Sequence, residues 1–138
     1  MGASRSLRWL EAFLQSRSDG SDDRSVWIEH RGWSMAPTLR DGDRLRVVAI
    51  GDAGSRPGEP GEIVLARRGG QLVAHRLVGL AAGQAITRGD GMRRDDPPLP
   101  VTALCGRVLE VERGVRRFPP SRPGVVERIG VWVRCLIA

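Results

Sequence analysis

Gly32-Trp33-Ser34-Met35-Ala36-Pro37-Thr38-Leu39-Arg40-Asp41-Gly42-Asp43 decides the fold, because the sequence on both sides of it runs with a period of two. Upstream, Val26, Ile28 and His30 alternate with Trp27, Glu29 and Arg31, the pattern of a half-buried strand that runs into Gly32. Downstream, Arg40-Asp41-Gly42 is a turn signal, and Asp43 to Ile50 reads as a second strand. The stretch is therefore an irregular corner between two strands, and it carries a serine.

Further along, residues 51–61 form a Gly/Pro loop. Arg68-Gly69-Gly70 then joins Glu62–Arg67 to Gln71–Leu80 as a hairpin. In its second arm Val73, His75 and Leu77 face one way and Leu72, Ala74, Arg76 and Val78 the other. A short strand over 85–88 is followed by a loop, GDGMRRDDPPLP, that its prolines are expected to keep irregular, then by a strand over 103–112 and a short return over 115–118. Residues 4–16 and 125–137 read as amphipathic helices. The fold class is mainly β: an N-terminal helix and linker over 1–23, a β domain of short strands over 24–118, and a C-terminal helix over 119–138.

Composition narrows the chemistry. The chain has 138 residues, enough for one domain with its own core. All 22 of its basic residues are arginine, against 16 acidic ones, for a net charge of +6. With no lysine, Schiff-base chemistry, a P-loop and a lysine general base are excluded. The only imidazoles are His30 and His75. Cys105 and Cys135 lack CxxC spacing, so they are read as buried thiols, with no metal site and no cofactor called for. The arginines are scattered and aromatic residues make up 4% of the chain, so no basic stripe interleaved with stacking rings is visible and nucleic acid is not the expected partner. The longest uncharged run, Leu77 to Thr87, is 11 residues, and Arg8 and Glu11 interrupt the first apolar segment. Neither a span nor an export signal is expected, which predicts a cytoplasmic or peripherally membrane-associated chain, with the C-terminal helix as the candidate membrane contact.

The twelve-residue corner resembles the nucleophile motif of the signal peptidase and LexA-like serine proteases, Gly-x-Ser-Met-x-Pro-Thr-Leu-x-x-Gly-Asp, at all of its specified positions. Pro60-Gly61-Glu62-Ile63-Val64, His75-Arg76, Gly89-Asp90 and Gly106-Arg107-Val108 follow in the family's order, so the resemblance covers roughly residues 26–112. It implies a LexA/signal-peptidase-like fold and a serine endopeptidase acting on a protein or peptide precursor, with small residues before the cut. The common branch of that family pairs its serine with lysine. The archaeal and endoplasmic-reticulum signal peptidases place histidine there, and with His75 at that position this chain resembles them. The same resemblance sets Asp96 as the third group, with Asp95 as its near competitor, and gives Asp90 a supporting role. Gly91 and Met92 stand where the histidine type carries asparagines.

The residue types suit the chemistry. A serine hydroxyl needs a base within about 2.6–3.2 Å. His30 lies four residues upstream on an extended segment, roughly 13 Å away at ~3.3 Å per residue, unless the chain reverses at Gly32. His75, on a separate strand, can be brought opposite Ser34. An imidazole whose pKa is near its ordinary ~6.5 is mostly neutral at pH 7 and needs an acceptor to fix its tautomer. The Ser34 N–H is the natural oxyanion donor, and Gly32 is set beside Asp90 as a supporting or oxyanion position, although where some relatives carry a second hydroxyl no side chain here can help. Met35, Pro37 and Leu39 are expected to shape the turn and line a substrate pocket. The rival reading is a catalytically silent peptide-binding or dimerisation module of the same fold.

Overall fold

A computed structural model of the chain describes residues 25–50 and 58–121. The expected terminal helices lie outside these residues, as does most of the Gly/Pro loop. Eight strands follow in order: β1 (Ser25–Glu29), β2 (Arg44–Ala49), β3 (Ile63–Arg68), β4 (Gln71–Ala81), β5 (Gln84–Arg88), β6 (Leu99–Pro100), β7 (Leu104–Arg113) and β8 (Arg116–Phe118). A single 3₁₀ turn, Val101–Ala103, precedes β7, and no α-helix occurs among the described residues. The mainly β reading holds.

All pairings are antiparallel, in the order β1-β2-β7-β3-β4-β5-β6, with β8 on β7. Three register shifts leave Leu109, Cys105 and Val78 as extra residues between ladder pairs. Bulges bend a strand and increase its twist, so the sheet curls. The curl encloses two apolar clusters. Ile63 and Leu65 of β3 join Met35, Leu39, Leu45, Val47, Val108 and Val111 in one; Val64 and Ala66 join Leu77, Ala85, Leu99 and Leu104 in the other. A strand buried on both faces loses the period-two signal, and so the IVLA run of β3 reads as continuous apolar sequence.

The expectation of an irregular segment up to Pro100 needs correction, because Leu99 and Pro100 form β6. Pro100 lacks an N–H, yet β6 is the last strand of the order and pairs only with β5, an edge where a missing donor is tolerated. Leu99 supplies the reason for the strand: its side chain is buried against Ala85.

Candidate active site

The corner between β1 and β2 is closed at its neck. His30 N–H donates to the Asp43 carbonyl and Gly42 N–H to the His30 carbonyl. Gly32 takes φ +98°, a left-handed conformation that glycine reaches without a side-chain clash. Within the corner Leu39 N–H reaches the Met35 carbonyl, one helical turn that sends Met35 and Leu39 into the core. Both side chains are fully buried, so the expectation that they line a substrate pocket is corrected: they anchor the turn. Pro37, also expected at that pocket, is exposed and follows a cis peptide bond.

The neck is fixed electrostatically. Asp43, almost fully buried, accepts from Arg113 Nε (2.9 Å) and Nη2 (2.8 Å) and from the Arg40 N–H (2.8 Å). Burial pushes its carboxyl up, but the Arg113 hydrogen bonds, the Arg40 N–H and the Arg113 charge outweigh this and hold it below its ordinary 3.8. A carboxyl depressed in the folded chain contributes stability that is full above its ordinary pKa and is lost as pH falls through the folded value. Asp43→Asn is therefore expected to cost about 2 kcal/mol at neutral pH. The deficit closes as pH falls below the ordinary carboxyl range, which thermal denaturation across an acid series measures.

Ser34, half-buried on the corner, meets His75 of β4: Ser34 Oγ lies 2.9 Å from His75 Nε2. On the other side of the ring, Nδ1 lies 2.5 Å from Asp96 Oδ2. An ionised carboxylate only accepts, so Nδ1 carries the proton and Nε2 accepts from the serine hydroxyl. Asp96 is itself oriented by β5. The Thr87 hydroxyl donates to Oδ2 (2.7 Å), and the Asp96 N–H donates to the Thr87 carbonyl (2.8 Å). Hydroxyl, imidazole and carboxylate thus form one chain of hydrogen bonds at the sheet surface.

The three aspartates considered in the sequence are separated by their partners. Only Asp96 touches His75. Asp95 pairs with Arg88 (2.7 Å), and Asp90 pairs with Arg76 through Nε–Oδ1 (3.1 Å) and Nη2–Oδ2 (2.6 Å). Arg76 follows His75 on β4 and therefore projects to the opposite face. Its Nη1 also reaches the carbonyls of Gly61 (2.9 Å) and Ser121 (2.7 Å). Asp90 passes the tie on to the corner, accepting from the Thr38 hydroxyl at 2.5 Å. Asp90 thus ties β4 to the corner through Arg76 and Thr38 and makes no hydrogen bond to Ser34 or His75.

Gly32 donates its N–H to Asp41 Oδ1 (2.8 Å), so that donor is already engaged on the corner's outer side and is not free to face an oxyanion. His30 is buried and makes no bond to Ser34; its Nε2 has no partner among the described residues. Burial pushes its imidazole below the ordinary 6.5, against the pull of Asp43 and Asp41 and with the repulsion of His75.

Sequence reasoning passed over Thr87, Thr38 and the close approach of the 89–91 loop. Gly91 N–H donates to the Ser34 carbonyl (2.9 Å), and a Cβ on Gly89 would stand 2.4 Å from that same oxygen. The paired glycines around Asp90 were the available signal, since backbone packed on backbone leaves no room for a side chain. No cluster of candidate metal ligands occurs among the described residues, and no helix there is long and apolar enough to cross a membrane.

The family profile described as Peptidase S24-like matches residues 3–87, more than half of the chain and the part that carries both Ser34 and His75. The chain belongs to the peptidase S24-like family. No curated protein matches it. Membership gives the S24-like chain a peptidase-like fold of the LexA and signal peptidase type. The matched span ends at Thr87, so the position of Asp96 stands on geometry alone.

Proposed function

We propose that this S24-like chain is a serine endopeptidase that cleaves a protein or peptide precursor, with Ser34 as nucleophile, His75 as general base and then acid, and Asp96 as the orienting group. The observation that carries this reading is the pair of contacts on one imidazole, 2.9 Å to the serine hydroxyl and 2.5 Å to the carboxylate. As Ser34 Oγ attacks the scissile carbonyl, its proton passes to His75 Nε2, and Asp96 stabilises the imidazolium. Collapse of the tetrahedral species returns that proton to the leaving amine and leaves an acyl-enzyme. Water, deprotonated by the same nitrogen, then releases the acid. The Ser34 N–H is the proposed oxyanion donor.

Two further points support the reading. With no lysine in the chain, the position that resembles the family's base is filled by His75, as in the histidine-type signal peptidases. The register also leaves a place for a substrate strand. β3 pairs with Gln71–Arg76 of β4, whereas β5 pairs only with Arg76–Ala81, so Leu72, Val73 and Ala74 have a strand on one side only among the described residues. An extended peptide added there would run beside His75.

A serine-reactive fluorophosphonate tests the assignment on the full chain. Labelling is expected in the native chain, none in Ser34→Ala, and a rate lower by at least about a thousandfold in His75→Ala. Equal labelling of native and variant chains would sink it.

A further inference from the structure

The loop between β5 and β6 is pinned at both ends by the candidate site. Gly91 is bonded to the Ser34 carbonyl and Asp96 to Thr87 and His75. At no more than ~3.6 Å per residue, the Cα of Arg93 lies within about 7 Å of that of Gly91, and the Cα of Arg94 within about 7 Å of that of Asp96. The tip, Met92-Arg93-Arg94, is thus held at the rim of the site.

Its charges do not cancel. Each carboxylate of the loop is engaged elsewhere: Asp90 by Arg76, Asp95 by Arg88 and Asp96 by His75 and Thr87. Arg93 and Arg94 are exposed, with no ion pair or hydrogen bond among the described residues. Beside them stand two of the most exposed large apolar side chains of the described residues, Met92 at 52% and Trp33, next to the serine, at 68%. Gly91 packs against the Trp33 carbonyl, which brings the two segments together. Apolar side chains at a site rim bind when a partner covers them, and uncompensated guanidinium groups select carboxylates.

We propose that this rim sets substrate preference: Arg93 and Arg94 select a peptide segment that carries acidic side chains near the scissile bond, and Trp33 with Met92 covers a large apolar side chain beside them. The proposal rests on the serine peptidase reading. Two cations and two apolar groups match one short peptide segment, but they are too few for a membrane surface, where even a single acyl chain gives only marginal binding.

Competition for Ser34 on the full chain provides the test. Peptide pools of one length, sharing a small-residue centre and carrying Glu, Gln or Arg at the flanking positions, compete with a small uncharged fluorophosphonate. Glu pools are expected to protect Ser34 at concentrations about fivefold lower than Gln pools for each carboxylate met, with Arg pools weakest and added salt narrowing the gap. In the double variant Arg93→Glu/Arg94→Glu the order inverts. Protection blind to charge, protection by no pool, or an unchanged order in the double variant overturns the proposal. Charge-blind protection combined with binding to phosphatidylglycerol vesicles that the double variant loses would assign the rim to a membrane, and likewise overturns it. Labelling without peptide reads the serine assignment separately: if it fails, both readings fall, whereas labelling with charge-blind protection removes only this one.

Discussion

Asp96→Asn is expected to slow acylation of Ser34 by about 10³–10⁴-fold while leaving the chain folded. The carboxylate is acceptor-only, and its Oδ2 receives both the Thr87 hydroxyl and the His75 Nδ1–H. An amide in the same space keeps the volume but offers one acceptor and one donor. One position, that of Oδ2, faces both groups. An amide oxygen there would keep both bonds but carry no charge to stabilise the imidazolium. An amide nitrogen there makes the Thr87 hydroxyl turn to accept and donates to Nδ1, which must then accept. In that second arrangement the proton moves to Nε2, facing Ser34 Oγ, and the base is lost. Asp95 cannot substitute because Arg88 holds it, and Asp90 is held by Arg76. Asp95→Asn is therefore expected to label within about threefold of the native rate, since it stands outside the hydrogen-bond chain. Rates measured with the fluorophosphonate for the two variants decide the assignment. A slow Asp95→Asn beside a fast Asp96→Asn would reverse it.

The second large effect is expected at Gly89. A methyl group there would lie 2.4 Å from the Ser34 carbonyl oxygen, 3.1 Å from its carbon and 2.9 Å from Met92 Cγ. Met92 is exposed and can swing away. The carbonyl cannot move without loosening the Gly91 hydrogen bond and shifting the serine. Gly89→Ala is expected to cost about 3 kcal/mol or more, at the upper end of overpacking effects, and to reduce labelling along with it. Gly79→Ala is the matched control, because nothing lies within 4 Å of its added methyl group. Denaturant midpoints give the stabilities; equal midpoints for the two variants would show that the 89–91 loop yields easily.

Much of this was legible in the sequence because it is local. The alternation before Gly32, the Arg40-Asp41-Gly42 turn and the Gly69-Gly70 hairpin each state their geometry within a few residues. The strands β1 to β5, β7 and β8 follow from those signals to within a residue or two. The Ser34–His75 pairing was legible because composition left few bases to choose from. What was hidden depends on which distant residues share a face. Leu39 and Met35 look like groove-lining residues beside a serine, yet one helical turn points them inward. Asp95 and Asp96 are chemically identical neighbours, and only the path of the loop against Thr87 sends one to His75 and the other to Arg88. The Arg76–Asp90 clamp crosses fourteen positions, and no periodicity encodes it. Leu99 was hidden by the prolines around it, which read as loop until the edge location of β6 is known.

The loop from Gly91 to Asp96 has fixed ends and an exposed tip, Met92-Arg93-Arg94, and that division has a consequence for inheritance. Its length is what the site depends on, because one residue more or fewer would change how the Ser34 carbonyl and the His75 ring are reached from a single piece of backbone. The side chains of Met92, Arg93 and Arg94 carry no such duty, while Asp95 stays tied to Arg88. Under the proposed rim function, a lineage built on this fold can exchange Met92, Arg93 and Arg94 one at a time and alter its substrate preference while the Ser34–His75–Asp96 hydrogen bonds stay in place. An engineer can treat the same three positions as a replaceable cassette.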